Sequence, residues 1–203
     1  MLVAAFCYRY EPEWLIEDLH TNLAWVDKII GIDTSGYDEL WIPRAERMRL
    51  MQDAGRKAGA TWMLHLDPDE RLETRAEKVI RRALERPHYV RYHMRMRELW
   101  TPHQYRVDGK WGSKRRRRLY RLGCRPDAPV GRLRLNIYHL ATVEPTNRQM
   151  RARIHTDHNT WDNKSHGFEY LADETGLTLE DIPPGRGYHP PYREYLKTVP
   201  GYG

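Results

Sequence analysis

The sequence predicts one α/β domain with a mixed, mainly parallel sheet flanked by helices, followed by an extended C-terminal tail. Three observations support this prediction. The chain has 203 residues, the size of one ordinary domain with a core of its own. Short apolar runs alternate with amphipathic segments over its first third. Residues 159–203 end in a stretch dense in Pro and Gly, which cannot form a separate core and is expected to wrap over the sheet.

The first third of the chain alternates predicted strands and helices. The strands are the apolar runs LVAAFCY (2–8), KIIGID (28–33) and TWMLHL (61–66). Between them, EPEWLIEDLHTNLAWV (11–26) and PRAERMRLMQDAGRKAGA (43–60) carry apolar residues at helical spacing. Strands joined by helices of this length form right-handed crossovers and parallel pairs, so a ligand is expected beyond the carboxyl ends of the strands.

The pattern loosens after residue 73, but further elements are predicted. A helix is expected over Arg71–Glu85, because acidic residues precede it, and a second helix over Glu144–His158. Four more strands are expected, at YVRYHMRMREL (89–99), QYRV (104–107), RRLYRL (117–122) and Leu135–Leu140.

Charge and cysteine content narrow the classes of protein. The net charge is +6, and Lys114–Arg118 are five consecutive cations, which form either a solvated basic face or a contact with a polyanion. Cys7 and Cys124 are the only cysteines, so neither a disulfide framework nor a thiolate metal site is expected, and a reducing cytoplasm fits best. The apolar opening is too short for a signal peptide or a spanning helix, so no integral membrane association is expected.

Carboxylates follow the three predicted parallel strands. Glu11 lies beyond the first strand, Asp33 ends the second, and Asp67 and Asp69 follow the third. Pro68 holds the aspartate pair extended. Mg²⁺ and Mn²⁺ take one or two protein carboxylates together with substrate phosphates, so the pair predicts a divalent-cation site. The alternative is that these acids only cap the following helix.

The segment that carries these acids resembles the family-2-like glycosyltransferases of GT-A fold. The resemblance covers about residues 2–73 and rests on YRYEPEWLIEDL (8–19), VDKIIGIDTSGYDE (26–39) and RMRLMQDAGRKAGATWMLHLDPDE (47–70), which ends in an Asp-x-Asp-Glu motif. It implies a nucleotide-diphosphate sugar donor and Mn²⁺ or Mg²⁺ as cofactor. Residues 1–73 would then bind the donor and 74–158 the acceptor.

The resemblance also implies roles for individual residues. Glu11 and Asp33 would line the pocket for the nucleotide base and ribose, and Arg49 would face the donor. Asp67 would contact the donor ribose or the metal, and Asp69 would ligate the metal.

A histidine downstream of the acceptor region often completes the metal site in that family. His139, near a predicted strand end, matches this position better than His155 or His158. A lone histidine at a strand end is otherwise a structural residue.

Acceptor contacts are predicted in the second half. Trp100 and Trp111 are candidate platforms for a sugar or base, with core packing as the alternative. Arg115 and Arg117 share one face of a basic strand and are candidate contacts to an anionic acceptor. The acceptor classes left open are modified DNA, a glycan and a protein side chain. Arg186 in the tail is a second candidate cation for the donor phosphates.

The predicted reaction is an inverting transfer, which needs a carboxylate as general base. Asp127 and Glu98 are the candidates, although no motif identifies either one. Two other classes remain open. One is a non-catalytic nucleic-acid-binding module that uses the basic strand, and the other is a metal-dependent nucleotidyltransferase, which also uses paired aspartates.

Overall fold

The computed structural model describes residues 1–37, 42–86, 88–125, 128–158 and 168–202. Within these ranges, the strands are β1 (Leu2–Tyr8), β2 (Lys28–Asp33), β3 (Trp62–His65), β4 (Glu70–Leu72), β5 (Arg91–Thr101), β6 (Gln104–Arg106), β7 (Arg115–Arg121), β8 (Val130–His139) and β9 (Leu179–Asp181). The α-helices are α1 (Glu13–Asn22), α2 (Arg44–Lys57), α3 (Ala76–Leu84) and α4 (Pro145–His158). No helix in these ranges is long and apolar enough to cross a membrane.

The strands form one open sheet. Its main path runs β2-β1-β3-β7-β5-β8-β4, and the far end of β5 bends away to pair with β6, which pairs with β9. β1 pairs in parallel with β2 and β3, and β5 with β8, whereas β7 lies antiparallel between β3 and β5. The predicted α/β class is confirmed, but antiparallel pairings outnumber parallel ones among the described strands. The sheet is therefore mixed rather than mainly parallel.

Helices cover the first half of the sheet on both faces. Successive residues of a strand point to opposite faces, and β1 uses both for apolar contacts. Ala4 belongs to the same buried cluster as Leu19 of α1 and Ile80 of α3. Ala5 belongs to a second cluster with Met51 of α2. This packing fixes the carboxyl ends of β1 and β3 side by side.

The prediction that a helix begins at Arg71 is wrong. The chain first forms the short strand β4, which pairs with β8, and α3 begins only at Ala76. Arg71 is fully buried and donates hydrogen bonds to the carbonyl oxygens of Pro68, Glu70 and Leu15, at 2.7, 2.9 and 2.9 Å. These bonds satisfy a buried guanidinium in an extended backbone, which the acidic residues before it gave no reason to expect.

The C-terminal segment after β9 returns across the molecule. Arg186 forms an ion pair with the buried carboxylate of Glu73, at 2.7 Å. Farther on, Asn147 of α4 holds the segment at two points. Its side-chain amide donates to the carbonyl oxygen of Tyr195, at 3.0 Å, and accepts from the backbone N–H of Lys197, at 2.9 Å. The segment is thereby fixed against α4.

Candidate active site

A cavity of about 480 Å³ lies at the edge of the sheet where β1, β3 and β8 end and β7 begins, and Met96 and Glu98 of β5 also line it. Cys7–Glu11, from the end of β1 onward, and Asp67–Glu70, between β3 and the start of β4, line it. Arg151 of α4 and Lys197 of the C-terminal segment also line it. Because parallel strands end at the same edge, residues distant in the chain converge on this cavity.

Three buried side chains in the cavity contact one another in a row, in the order Asp69, His139 and Glu98. Nε2 of His139 lies 3.4 Å from Oδ2 of Asp69, and Nδ1 bonds to Glu98, which also accepts from Lys114. The register explains the grouping, because His139 of β8 is paired with Glu98 of β5. Only 7% of Asp69 and 2% of Glu98 are exposed, so these interactions are largely shielded from bulk solvent.

The charges of these three side chains set their protonation states. Burial lowers the pKa of His139, but the carboxylates of Glu98 and Asp69 outweigh it and raise the pKa to about 9. Burial raises the pKa of Asp69, but the charge of His139 brings it down to about 2. In the structure as described, His139 is therefore a cation between two carboxylates at neutral pH.

Arg118 organises a second buried cluster. Its Nη2 donates to Oδ2 of Asp67, at 2.7 Å, and to Glu70. Asp67 also pairs with Arg47 of α2, at 3.4 Å. Although burial raises the pKa of Asp67, the charge of Arg118 holds it well below its ordinary value. Burial lowers the pKa of His65, whose ring contacts Arg118, to about 4, so His65 is neutral.

Lys197 brings the C-terminal segment into the cavity. Its Nζ lies 3.1 Å from Oε1 of Glu11, and Oε2 of Glu11 accepts from the backbone N–H of Arg9, at 2.8 Å. Burial lowers the pKa of Lys197, but the charges of Glu11 and Asp69 raise it overall. Lys197 is thus a second positive charge near Asp69, beside His139.

Positive charge exceeds negative charge around the cavity. Eight Lys and Arg residues line it, namely Arg9, Arg44, Arg47, Lys114, Arg116, Arg118, Arg151 and Lys197. Five carboxylates line it, namely Glu11, Asp67, Asp69, Glu70 and Glu98. A concave site with this excess of cations attracts anions. Arg residues in particular suit the oxygens of a phosphate group.

No protein-family model matches the chain, and no curated protein matches it. The fold and the cavity are therefore the basis for the functional argument.

The donor set of Asp69 and His139 fits a divalent cation shared with a substrate if the cation displaces the proton on Nε2 of His139, because only the neutral imidazole can be a metal ligand. In the described part of the chain, no group of three or more His, Cys, Asp or Glu residues is placed to hold a metal ion. Two protein ligands are nevertheless enough for Mg²⁺ or Mn²⁺ when substrate phosphates and water complete the shell. Glu98 on Nδ1 of His139 is the kind of partner that orients a metal-binding imidazole through its other nitrogen.

Of the other residues predicted to bind the donor, Glu11 lines the cavity, whereas Asp33 and Arg49 do not. Asp33 is exposed, accepts the backbone N–H of Ser35 at 2.8 Å and does not line the cavity, although its neighbour Thr34 does. Arg49 also lies outside the lining, on the exposed face of α2, where it pairs with Glu46 and Asp53.

Arg47, which the sequence reasoning missed, is the residue of α2 that reaches Asp67. The signal that could have identified it is helical phase. Arg47 is four residues before the buried Met51 and shares its side of the helix, whereas Arg49 does not.

Trp100 and Trp111 are buried and do not line the cavity. Trp100 packs beneath the guanidinium of Arg148, 3.9 Å from its ring centre, and Trp111 packs with Phe168 and Leu171. Their surroundings correspond to the core-packing alternative.

The basic strand divides its cations between two faces. Lys114, Arg116 and Arg118 line the cavity, whereas Arg115 and Arg117 do not. The predicted alternation therefore holds, but the cavity lies on the face opposite the chosen pair. Asp127 lies outside the described residues, and so does the side chain of His158.

His155 of α4 also lines the cavity, and its ring packs on Phe168 with 5.3 Å between ring centres. Burial and the charges of Arg151, Lys114 and Lys197 lower its pKa to about 3. Because this folded-state value is below the ordinary value near 6.5, the unfolded chain takes up a proton first as the pH falls. The stabilisation is present above about pH 6.5 and is lost as the pH falls towards 3.

We expect the parent protein to lose about 1 kcal/mol more unfolding free energy per pH unit between pH 6 and 5 than His155→Gln does. Urea unfolding at several pH values, followed by tryptophan fluorescence, measures the difference. Parallel pH curves for the two proteins would contradict the assignment of a neutral, buried His155.

Proposed function

We propose that this protein is a glycosyltransferase of GT-A organisation, which moves a sugar from a nucleotide-diphosphate donor to a hydroxyl acceptor. The observation that carries the proposal is the cation-rich cavity beyond the carboxyl ends of β1 and β3, with Asp67, Asp69 and His139 in its lining. This is where an α/β sheet binds ligands. The resemblance of residues 2–73 to family-2-like enzymes supports the same conclusion.

The cations of the cavity have a direct use in this reaction. Cleaving the bond between the sugar and the diphosphate leaves negative charge on the departing diphosphate. Fixed positive groups placed where that charge develops lower the barrier, and they act more strongly in a dry site than in water. Buried carboxylates hold two of these cations in position, with Glu98 bonded to Lys114 and Glu70 bonded to Arg118.

A divalent cation fits the same proposal. Asp69 and His139 would hold Mn²⁺ or Mg²⁺, and the cation would act as a Lewis acid and template for the diphosphate. Glu98 would keep the His139 ring in orientation, because it is bonded to Nδ1 and leaves Nε2 towards Asp69.

The role of Glu98 is better described as positioning than as general base. His139 and Lys114 hold the pKa of Glu98 well below its usual range, against the effect of burial. A base with such a low pKa accepts a proton poorly. Its carboxylate is also occupied by both partners. An inverting transfer would then take its base from another residue.

The acceptor stays open among DNA, a glycan and a protein side chain. Arg115 and Arg117, the predicted contacts to an anionic acceptor, do not line the cavity. A non-catalytic nucleic-acid-binding module, the rival hypothesis, would need the cations of Lys114–Arg118 to be available to the nucleic acid. Lys114 and Arg118 are instead committed to buried carboxylates, which favours the transferase.

A screen of nucleotide sugars tests the proposal. We expect one donor to be hydrolysed slowly in the absence of acceptor, with release of a nucleoside diphosphate and faster turnover when Mn²⁺ is added. Release of pyrophosphate from a nucleoside triphosphate would indicate nucleotidyl transfer instead. No turnover of any donor, together with salt-dependent DNA binding, would favour the binding module.

A further inference from the structure

Arg116 differs from its two neighbours on the cavity face of β7. Lys114 bonds to Glu98, and Arg118 bonds to Asp67 and Glu70. Within the described part of the chain, the guanidinium of Arg116 makes neither an ion pair nor a hydrogen bond, although it lines the cavity and is half-buried. A half-buried guanidinium with unused donors is available to a ligand.

The surroundings of Arg116 favour a multiply charged anion. The groups that influence its ionisation most, after burial itself, are Glu98, Arg118, Glu70 and Arg44. Both of these carboxylates are already bonded to other cations, Lys114 and Arg118. Lys114 and Arg118 thus offset the charges of these two carboxylates, and Arg44 adds a further positive charge near Arg116. A phosphate group, with two charges spread over several oxygens, matches the planar fork of an arginine.

We infer that Arg116 is a binding residue for a phosphoryl group of a substrate. The inference deepens the proposed function and rests on it for the identity of the substrate. The phosphoryl group is either part of the donor diphosphate or part of a phosphorylated acceptor, and both have the same chemistry at this residue.

Inorganic pyrophosphate is the probe for the test, measured by isothermal titration calorimetry on the full chain. We expect Arg116→Gln to bind pyrophosphate at least tenfold more weakly than the parent. Arg115→Gln removes the same charge from the opposite face of the strand and is the matched control, with unchanged affinity expected. Arg116→Lys keeps the charge but loses the fork, so an intermediate affinity is expected. Arg116→Lys also replaces Arg116→Gln as the test variant if Arg116→Gln does not fold.

A second titration, with nucleoside diphosphates, distinguishes the two sources. Weaker binding of both pyrophosphate and the nucleoside diphosphate to Arg116→Gln assigns the group to the donor. Weaker binding of pyrophosphate alone assigns it to the acceptor. Equal pyrophosphate affinity in Arg116→Gln and Arg115→Gln, or no saturable binding to the parent, overturns the inference. These titrations need no turnover, so they can succeed while the donor screen fails, or the reverse.

Discussion

Asp69→Asn is expected to lower the turnover of the proposed nucleotide-sugar donor by about 100-fold or more, because the cavity loses a ligand of the divalent cation that would stabilise the departing diphosphate. The change removes a negative charge from the cavity while keeping the shape of the side chain. His139 keeps its bond to Glu98, so the fold should persist. Product release measured with and without Mn²⁺ gives the turnover, and nucleotide titration gives the affinity.

Asp181→Asn is the matched control for this variant. Asp181 lies on β9, is exposed and bonds to Gln104, and it does not line the cavity. The Asp181→Asn variant should keep the turnover and the response to Mn²⁺ of the parent protein. Unaltered turnover in a folded Asp69→Asn protein would contradict both the metal assignment and the mechanism.

Arg118→Met is expected to reduce the free energy of unfolding by about 3 kcal/mol, because it leaves the buried carboxylate of Glu70 without its cation and removes one of the two cations beside the partly exposed Asp67. Asp67 would keep Arg47, but Glu70 is 1% exposed and would lose its ion pair with Arg118. Urea unfolding followed by tryptophan fluorescence measures the loss.

Two further variants decide whether the loss comes from the ion cluster. Arg117→Met alters the neighbouring, exposed residue and should change the free energy by no more than about 0.5 kcal/mol. Adding Glu70→Gln to Arg118→Met removes one unpaired charge and should restore part of the stability. A loss below about 1 kcal/mol in Arg118→Met would mean that the cluster contributes little to the fold.

The strand ends were the most predictable part of the molecule. The α/β alternation of residues 2–66 is carried by local apolar patterns, and each predicted strand in this range is present. Glu11, Asp67 and Asp69 were found because acids at the ends of neighbouring parallel strands share one edge of a sheet. They do line one cavity.

The errors arose where local pattern and tertiary contact disagree. The strand β4 is three residues long and contains a buried arginine, so nothing in its own sequence distinguishes it from the first turn of a helix. On β7, both faces carry Lys or Arg, and alternation alone does not say which face meets the cavity. Lys197 belongs to a segment without periodicity, and its role depends on the contact with Asn147.

The bond between Lys197 and Glu11 joins residues 186 positions apart in the chain. On a nascent polypeptide, the first strands, with their acids, leave the ribosome long before residue 197 does, so the cavity lacks the wall formed by Lys197 until that residue has emerged. A ligand that needs Lys197 would bind only after the C-terminal segment has docked, and its binding would favour the docked form.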